Sequence, residues 1–317
     1  MTLLFFIVRR LIAMLVILLG VAAVTFFLVR LAPGDPVAQQ LGQHAGDVAT
    51  YKRMYHQMGL DQPLWHQYVT YVWNALNGNL GTSVLEVGTP VTTIIGQGLP
   101  VTLELGALAT IIALLFGVPL GILAAVRHNR LLADNLNMGV MMTLYSIPPF
   151  VIIPGVWLVF GVLLQNTFFH LPVSGWGGLG DPRSWLAPAC VFAAGLAGLF
   201  ARSLRSFMLE ELSKDYIRMA RAKGLAERRV IYLHAMKNTL LPFASVLGPT
   251  IAFLVVGAFI IENEFSIPGI ANITVQSTLS DDYSVTMATT LVLAAAVVVA
   301  NALTDIFYTI VDPRVRL

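Results

Sequence analysis

The chain has 317 residues, 57% of them hydrophobic and 11% charged, with a mean hydropathy of +0.77 and a formal net charge of +2. Ordinary soluble domains carry roughly 25% charged residues, so this composition excludes a soluble globular protein and makes lipid the solvent for much of the surface. The single cysteine, Cys190, excludes an intrachain disulfide and a cysteine-based metal site; its apolar surroundings predict a buried structural thiol.

Charge-free windows mark the spans in chain order: 11–29, 105–126, 135 to about 164, 184–201, 238–261 and Tyr283–Thr304. Each approaches the roughly 20 residues that cross a hydrocarbon core of about 30 Å. An open-ended segment satisfies its backbone inside lipid only as a helix. The expected fold class is therefore all-α, an integral membrane protein with six transmembrane helices. The first run spans 19 residues after Arg9 and Arg10. That exceeds the apolar core of a signal peptide, roughly 7–15 residues, and reads as a retained anchor, residues 1–30.

Residues 31–98 have ordinary polar composition and form an insert between the first two helices. A turn signal, Ala32-Pro33-Gly34-Asp35-Pro36, opens it, and Trp65, Tyr68, Tyr71 and Trp73 lie in a run, 65–76, that predicts an amphipathic helix. Its aromatic face fits the lipid boundary, and a cap on the helix bundle and a partner-binding surface are equally open. Residues 99–310 form a five-helix core containing a charged loop, 210–238, and residues 311–317 form a tail. Placing the N-terminus inside puts 15 of the 19 Lys and Arg residues in the cytosol, against Arg30, Lys52, Arg53 and Arg183 outside. Positive charge collects on the cytoplasmic side, so both termini and the 210–238 loop are expected there.

Catalytic chemistry is missing. The dipeptide Gly-Lys never occurs, so no phosphate-cradling G-x-x-x-x-G-K-[ST] loop exists, and the six histidines are scattered without metal-ligand spacing. The chain does not read as an enzyme. Glu104, Arg202, Glu262, Glu264 and Asp305 lie within about a turn of span ends, where snorkelling reaches water. Charge in a membrane is a functional-site hypothesis, and Glu262 is the first of these candidates for the substrate pathway. An ion-driven carrier would place a carboxylate at mid-span, and none is there. Prolines at 119, 148, 149, 154, 188, 242 and 249 either shape the bundle or let helices flex around a passage; Ser146-Ile147-Pro148-Pro149 is the candidate for the second role.

The 210–238 loop is helix-forming and basic. Asp215 favours a helix start, with Arg218, Arg221 and Lys223 weighted toward its end. Tyr216, Met219, Ala220 and Lys223 share one face. Ala220 and Ala222 are small enough for a partner to approach closely, and Gly224 predicts a C-cap. Pattern alone leaves a solvated surface helix and a docking element equally open.

The segment D-Y-I-R-M-A-R-A-K-G-L followed by N-T-L-L-P resembles the coupling loop of ATP-binding-cassette importer permeases of the peptide class, B-type subunits. Further matches run in order along the chain. They include R-L-A-P-G-D-P (30–36), G-L-D-Q-P-L (59–64), G-N-L-G-T-S (78–83), L-E-L-G (103–106), L-P-V-S-G-W-G-G (171–178), I-E-N-E-F-S-I-P-G (261–269), D-Y-S (282–284) and V-D-P-R-V-R (311–316). The broader importer pattern E-A-A-x-x-x-G is not kept: Arg218 and Met219 replace its Glu and first Ala, leaving Ala220 and Gly224.

The resemblance implies the type I ABC importer permease fold, with Asp215, Tyr216, Arg218, Met219, Ala220, Arg221, Ala222, Lys223 and Gly224 contacting the ATPase, in the inner membrane of a bacterium or archaeon. It implies a homologous permease subunit, two cytosolic ATPases and an extracytoplasmic substrate-binding protein as partners, and no nucleic acid. No cofactor is expected in this chain; ATP and Mg belong to the ATPases. Short peptides are the implied cargo, with nickel, glutathione or an opine-like solute as alternatives on the same machinery.

Overall fold

The computed structural model describes residues 3–31, 35–41, 48–86, 88–128 and 131–311. The turn signal at 32–34 and the tail from 312 onward lie outside the described residues. Those residues are helical throughout their regular structure, with a lone bridge between Thr82 and Pro90 as the only β pairing among them. In order the helices are α1 (Leu3–Leu31), α2 (Pro36–Leu41), α3 (Val48–Gln57), α4 (Leu64–Leu76), α5 (Val91–Val126), α6 (Leu131–Ser146) and α7 (Pro149–Val156). After α7, which continues as a π-helix at Trp157–Leu163, come α8 (Pro182–Leu212), α9 (Asp215–Ala222), α10 (Glu227–Arg229), α11 (Met236–Glu264), α12 (Ile270–Leu279) and α13 (Tyr283–Val311). Among the described residues four helices are long and apolar enough to cross a membrane, or five if α6 and α7 form one bent span. The run expected at 238–261 lies within α11.

Three expectations are corrected. The window from 135 to 164 is not one straight span: its two helices meet at 96°. Pro148 and Pro149 supply no amide to continue the ladder and force the preceding residue out of the α conformation. Helix α5 starts at Val91, fourteen residues before the charge-free window, because a charge marks where a helix leaves lipid rather than where it begins. Cys190 is exposed. In a bilayer the outward face is itself apolar, so an apolar neighbourhood in sequence does not place a thiol inside.

The chain divides into two compact units, 1–102 with 268–299, and 103–267 with 300–317. In the second, small residues set the packing. A Cβ on Gly117 or Gly121 of α5 would stand 2.8 Å from the carbonyl of Ala197 or Ala201 of α8, and one on Gly198 would stand 2.7 Å from the Tyr145 amide of α6. Such G-x-x-x-G contacts let helix backbones approach where lipid offers no hydrophobic drive. In the first unit, Phe26 of α1 packs on Tyr68 and Tyr71 of α4, and Tyr68 donates to the Leu19 carbonyl at 2.9 Å. Leu19 lies about 16 Å along α1 from Arg30, so α4 runs beside the apolar span. Its other face turns Trp65, Val69, Trp73 and Leu76 outward.

Candidate functional site

The loop after α8 is a folded unit. Ser213 closes α8 and Lys214, extended, precedes α9. Gly224 has φ +75°, its amide donates to the Arg221 carbonyl at 2.9 Å, and the Leu225 amide donates to the Ala220 carbonyl at 3.4 Å. This is the hydrogen-bond pattern of a Schellman motif, so the expected C-cap at Gly224 is present. Beyond it, α10 leads into a π-helix, Val230–Ala235, which feeds α11. Ile217 and Ala220 pack with Val230 and Ala235, with Leu212, Tyr216 and Leu225 at the margin.

That core decides the orientation of α9 and corrects one expectation. Ala220 is only 7% exposed and Met219 61% exposed, so Tyr216, Met219, Ala220 and Lys223 do not share an outward face. Ala220 lies against its own chain and is closed to a partner. The outward stripe is Asp215, Arg218, Met219 and Ala222, all exposed at i, i+3, i+4 and i+7; Arg221, Lys223 and Gly224 are exposed beside it.

Glu211, buried at the end of α8, is the anchor that sequence reasoning passed over. Its carboxylate accepts from Lys214 Nζ at 2.5 Å and from the Tyr216 hydroxyl, and Asn238 Nδ2 of α11 donates to that hydroxyl at 2.9 Å. One carboxylate therefore ties α8, α9 and α11 together. The bond to Glu211 holds the Lys214 ammonium above its usual range. Burial, then the same carboxylate, push the Tyr216 phenol up. Arg221 grips Glu227 through two bonds, 3.2 and 2.7 Å, which lower the Glu227 carboxyl and raise the guanidinium. The spacing of Glu211 from Lys214 was the available sequence signal.

The remaining candidates do not form one surface. Ser146 and Pro148 are exposed and Pro149 half-buried at the α6–α7 corner, whereas Glu262 is fully buried near the end of α11. Two pairs of distant motifs do meet. In the first unit, Ser83 Oγ donates to Asp282 Oδ2 at 2.5 Å, and the same oxygen accepts from the Val84 and Leu85 amides at 3.1 and 3.3 Å. In the second, the Gly175 amide donates to the Phe265 carbonyl at 2.8 Å.

Several apolar helices interrupted by one charged, internally braced loop define a multi-pass membrane protein. Residues 117–317 match the family described as binding-protein-dependent transport system inner membrane component, and residues 3–106 match the N-terminal membrane component of such systems. The chain belongs to this family. It is 39% identical to a dipeptide transport system permease protein of Lactococcus lactis subsp. cremoris, over 98% of this chain and 99% of the relative. It is 35% identical to an oligopeptide transport system permease protein of Bacillus subtilis, again over 98% and 99%. With the oligopeptide transport system permease protein of Salmonella typhimurium the identity is 34% over the same shares.

Proposed function

We propose that this chain is one transmembrane half of an ATP-driven importer of short peptides, working by alternating access. Six helices, an extracytoplasmic insert at 31–98 and both termini in the cytosol of a bacterium or archaeon complete the reading. It pairs with a homologous permease subunit, two cytosolic ATPases that carry ATP and Mg, and an extracytoplasmic substrate-binding protein. Near-full-length similarity to permeases named for dipeptides and oligopeptides supports the cargo class. Movement of a bistable bundle needs a rigid handle on which the nucleotide state acts.

The observation that carries the reading is the outward face of α9. Its inner face is fixed to α8 and α11 through Ile217, Ala220 and Glu211, so a push on the outer face is passed to two long helices. Asp215, Arg218, Met219 and Ala222 form the docking face, with Met219 as the apolar centre. Arg221, Lys223 and Gly224 flank it; Tyr216 and Ala220 brace it from behind. The corner at Ser146, Pro148 and Pro149 lets the bundle flex beside the passage, and Glu262 is a buried charge of the same pathway.

Met219→Glu tests this in the reconstituted importer. Transport and substrate-stimulated ATP hydrolysis should fall together by about tenfold or more, as for loss of a buried apolar anchor, with insertion unchanged. Wild-type transport by this variant would place the docking face elsewhere.

A further inference from the structure

Within the first unit, a cavity of about 550 Å³ opens where the outer end of α1, helices α3 and α4, and the start of α13 converge. Its size falls in the range of roughly 300–1,000 Å³ typical of small-molecule sites. Arg30, Asp35, Tyr51, Tyr55, Gln67 and Ser284 supply the polar lining. Leu31 ends one candidate span, one residue after Arg30, and Tyr283, also in the lining, begins another, so the cavity sits at the depth of lipid headgroups. Phe27 and Leu31 bring the exposed apolar side of α1 to its edge.

Among the described residues, two buried polar atoms on the lining residues have no hydrogen-bond partner: Arg30 Nε and Gln67 Oε1. The Gln67 assignment is fixed by its neighbours, because Nε2 donates to the carbonyls of Gln62 at 2.7 Å and Leu60 at 3.3 Å, leaving the oxygen directed elsewhere. Neither atom exposes surface to the cavity, so a ligand there meets the lining through the rest of the Arg30 guanidinium and through Asp35. Asp35 accepts from the Tyr51 hydroxyl at 2.7 Å and the Val37 amide at 2.9 Å. Burial opposes its ionisation, but these bonds and that from the Ala38 amide hold its carboxyl below the usual range. The lining thus offers one cation and one anion, matching a zwitterion rather than a net anion.

We propose that this cavity binds the phosphoethanolamine headgroup of a membrane phospholipid, with Arg30 on the phosphate and Asp35 on the ammonium. The apolar edge at Phe27 and Leu31 lets the acyl chains leave into the bilayer along α1. Trp65, exposed on α4 beside Leu64 and Gln67 of the lining, suits the same interfacial depth. Only the choice of leaflet rests on the orientation given above; the site itself does not depend on the transport reading.

The full importer is purified into nanodiscs of mixed phosphatidylethanolamine and phosphatidylglycerol, and its bound lipids are counted by native mass spectrometry. Wild type should retain phosphatidylethanolamine about tenfold over phosphatidylglycerol, and Arg30→Gln should lose that preference, as expected when a charge-assisted bond is removed. Met287→Trp keeps every polar group and fills the cavity from α13, so it should lose the lipid too and decides the matter if Arg30→Gln fails to fold. Equal retention by wild type and Met287→Trp, or of both lipids by wild type, would overturn the site. Displacement of the lipid by millimolar glycerophosphoethanolamine would make it a soluble-phosphoester site, and displacement by dialanine a site for cargo-like zwitterions; either outcome overturns a lipid site.

Discussion

At the scale of single residues, Glu211 bears the greatest structural burden in the loop. A buried carboxylate is tolerated only when its oxygens are occupied by donors, and here Lys214 and Tyr216 occupy them. Glu211→Gln weakens the charge-assisted bonds while keeping the shape. Loss of such a bond costs about 1–3 kcal/mol, so hydrogen exchange of the α9 amides should quicken by about tenfold or more, with the α8 amides near Phe200 unchanged. Unchanged α9 protection would mean that Ile217 and Ala220 hold the helix by packing alone. The Arg221–Glu227 pair is a lesser brace, since both side chains are substantially exposed and exposed pairs contribute about 0–1 kcal/mol. Its contribution is present above the ordinary carboxylate range. Because the Glu227 carboxyl is lowered, that contribution is lost only as pH falls through the depressed value.

At the scale of elements, the long helices were legible because lipid imposes a length and forbids charge. Their contacts were not, because a hydropathy window cannot see which glycine meets a neighbour. Pro119 read as one of the prolines that shape the bundle or let it flex; α5 runs on through it to Val126, and the glycines on either side, Gly117 and Gly121, make its seam with α8. Similarly, the loop helix and its glycine cap followed from local pattern, whereas its inward face was set by Ile217 meeting Val230 and Ala235, a contact across the turn. Gly117→Ala should therefore destabilise the protein by about 1–3 kcal/mol, the usual cost of overpacking, because the obstructing atom is a backbone carbonyl. Gly139→Ala in α6 is the control: its Cβ would meet nothing within 4 Å, and a helical Gly→Ala change there should be neutral or stabilising by up to about 1 kcal/mol. Thermal melting of the purified protein separates the two, and equal melting points would remove the close α5–α8 approach from the account.

At the scale of the whole molecule, the ordered motifs are legible one by one, and the fold explains why several occur as pairs. G-N-L-G-T-S supplies the hydroxyl and amides that cradle Asp282 of D-Y-S, some 200 positions away. L-P-V-S-G-W-G-G supplies the amide that meets Phe265 of I-E-N-E-F-S-I-P-G. Each pair joins segments just outside a span end, so a single charge-biased topology has to put both partners on the same side of the membrane. The 15-to-4 distribution of Lys and Arg supports the proposed orientation, with the charged loop inside and the G-N-L-G-T-S and D-Y-S pair outside. Single cysteines test that assignment. The exposed Cys190 is first replaced by Ala, because it would otherwise give a background signal. A cysteine at the exposed Ala226 should resist an impermeant thiol reagent in intact cells and react once the membrane is opened, while one at the exposed Asp61 should react in both states. Neither substitution touches a span or the loop core, so both proteins should insert as wild type does. Labelling of the Ala226 site from outside would invert the topology and, with it, remove α9 from the reach of any cytosolic ATPase.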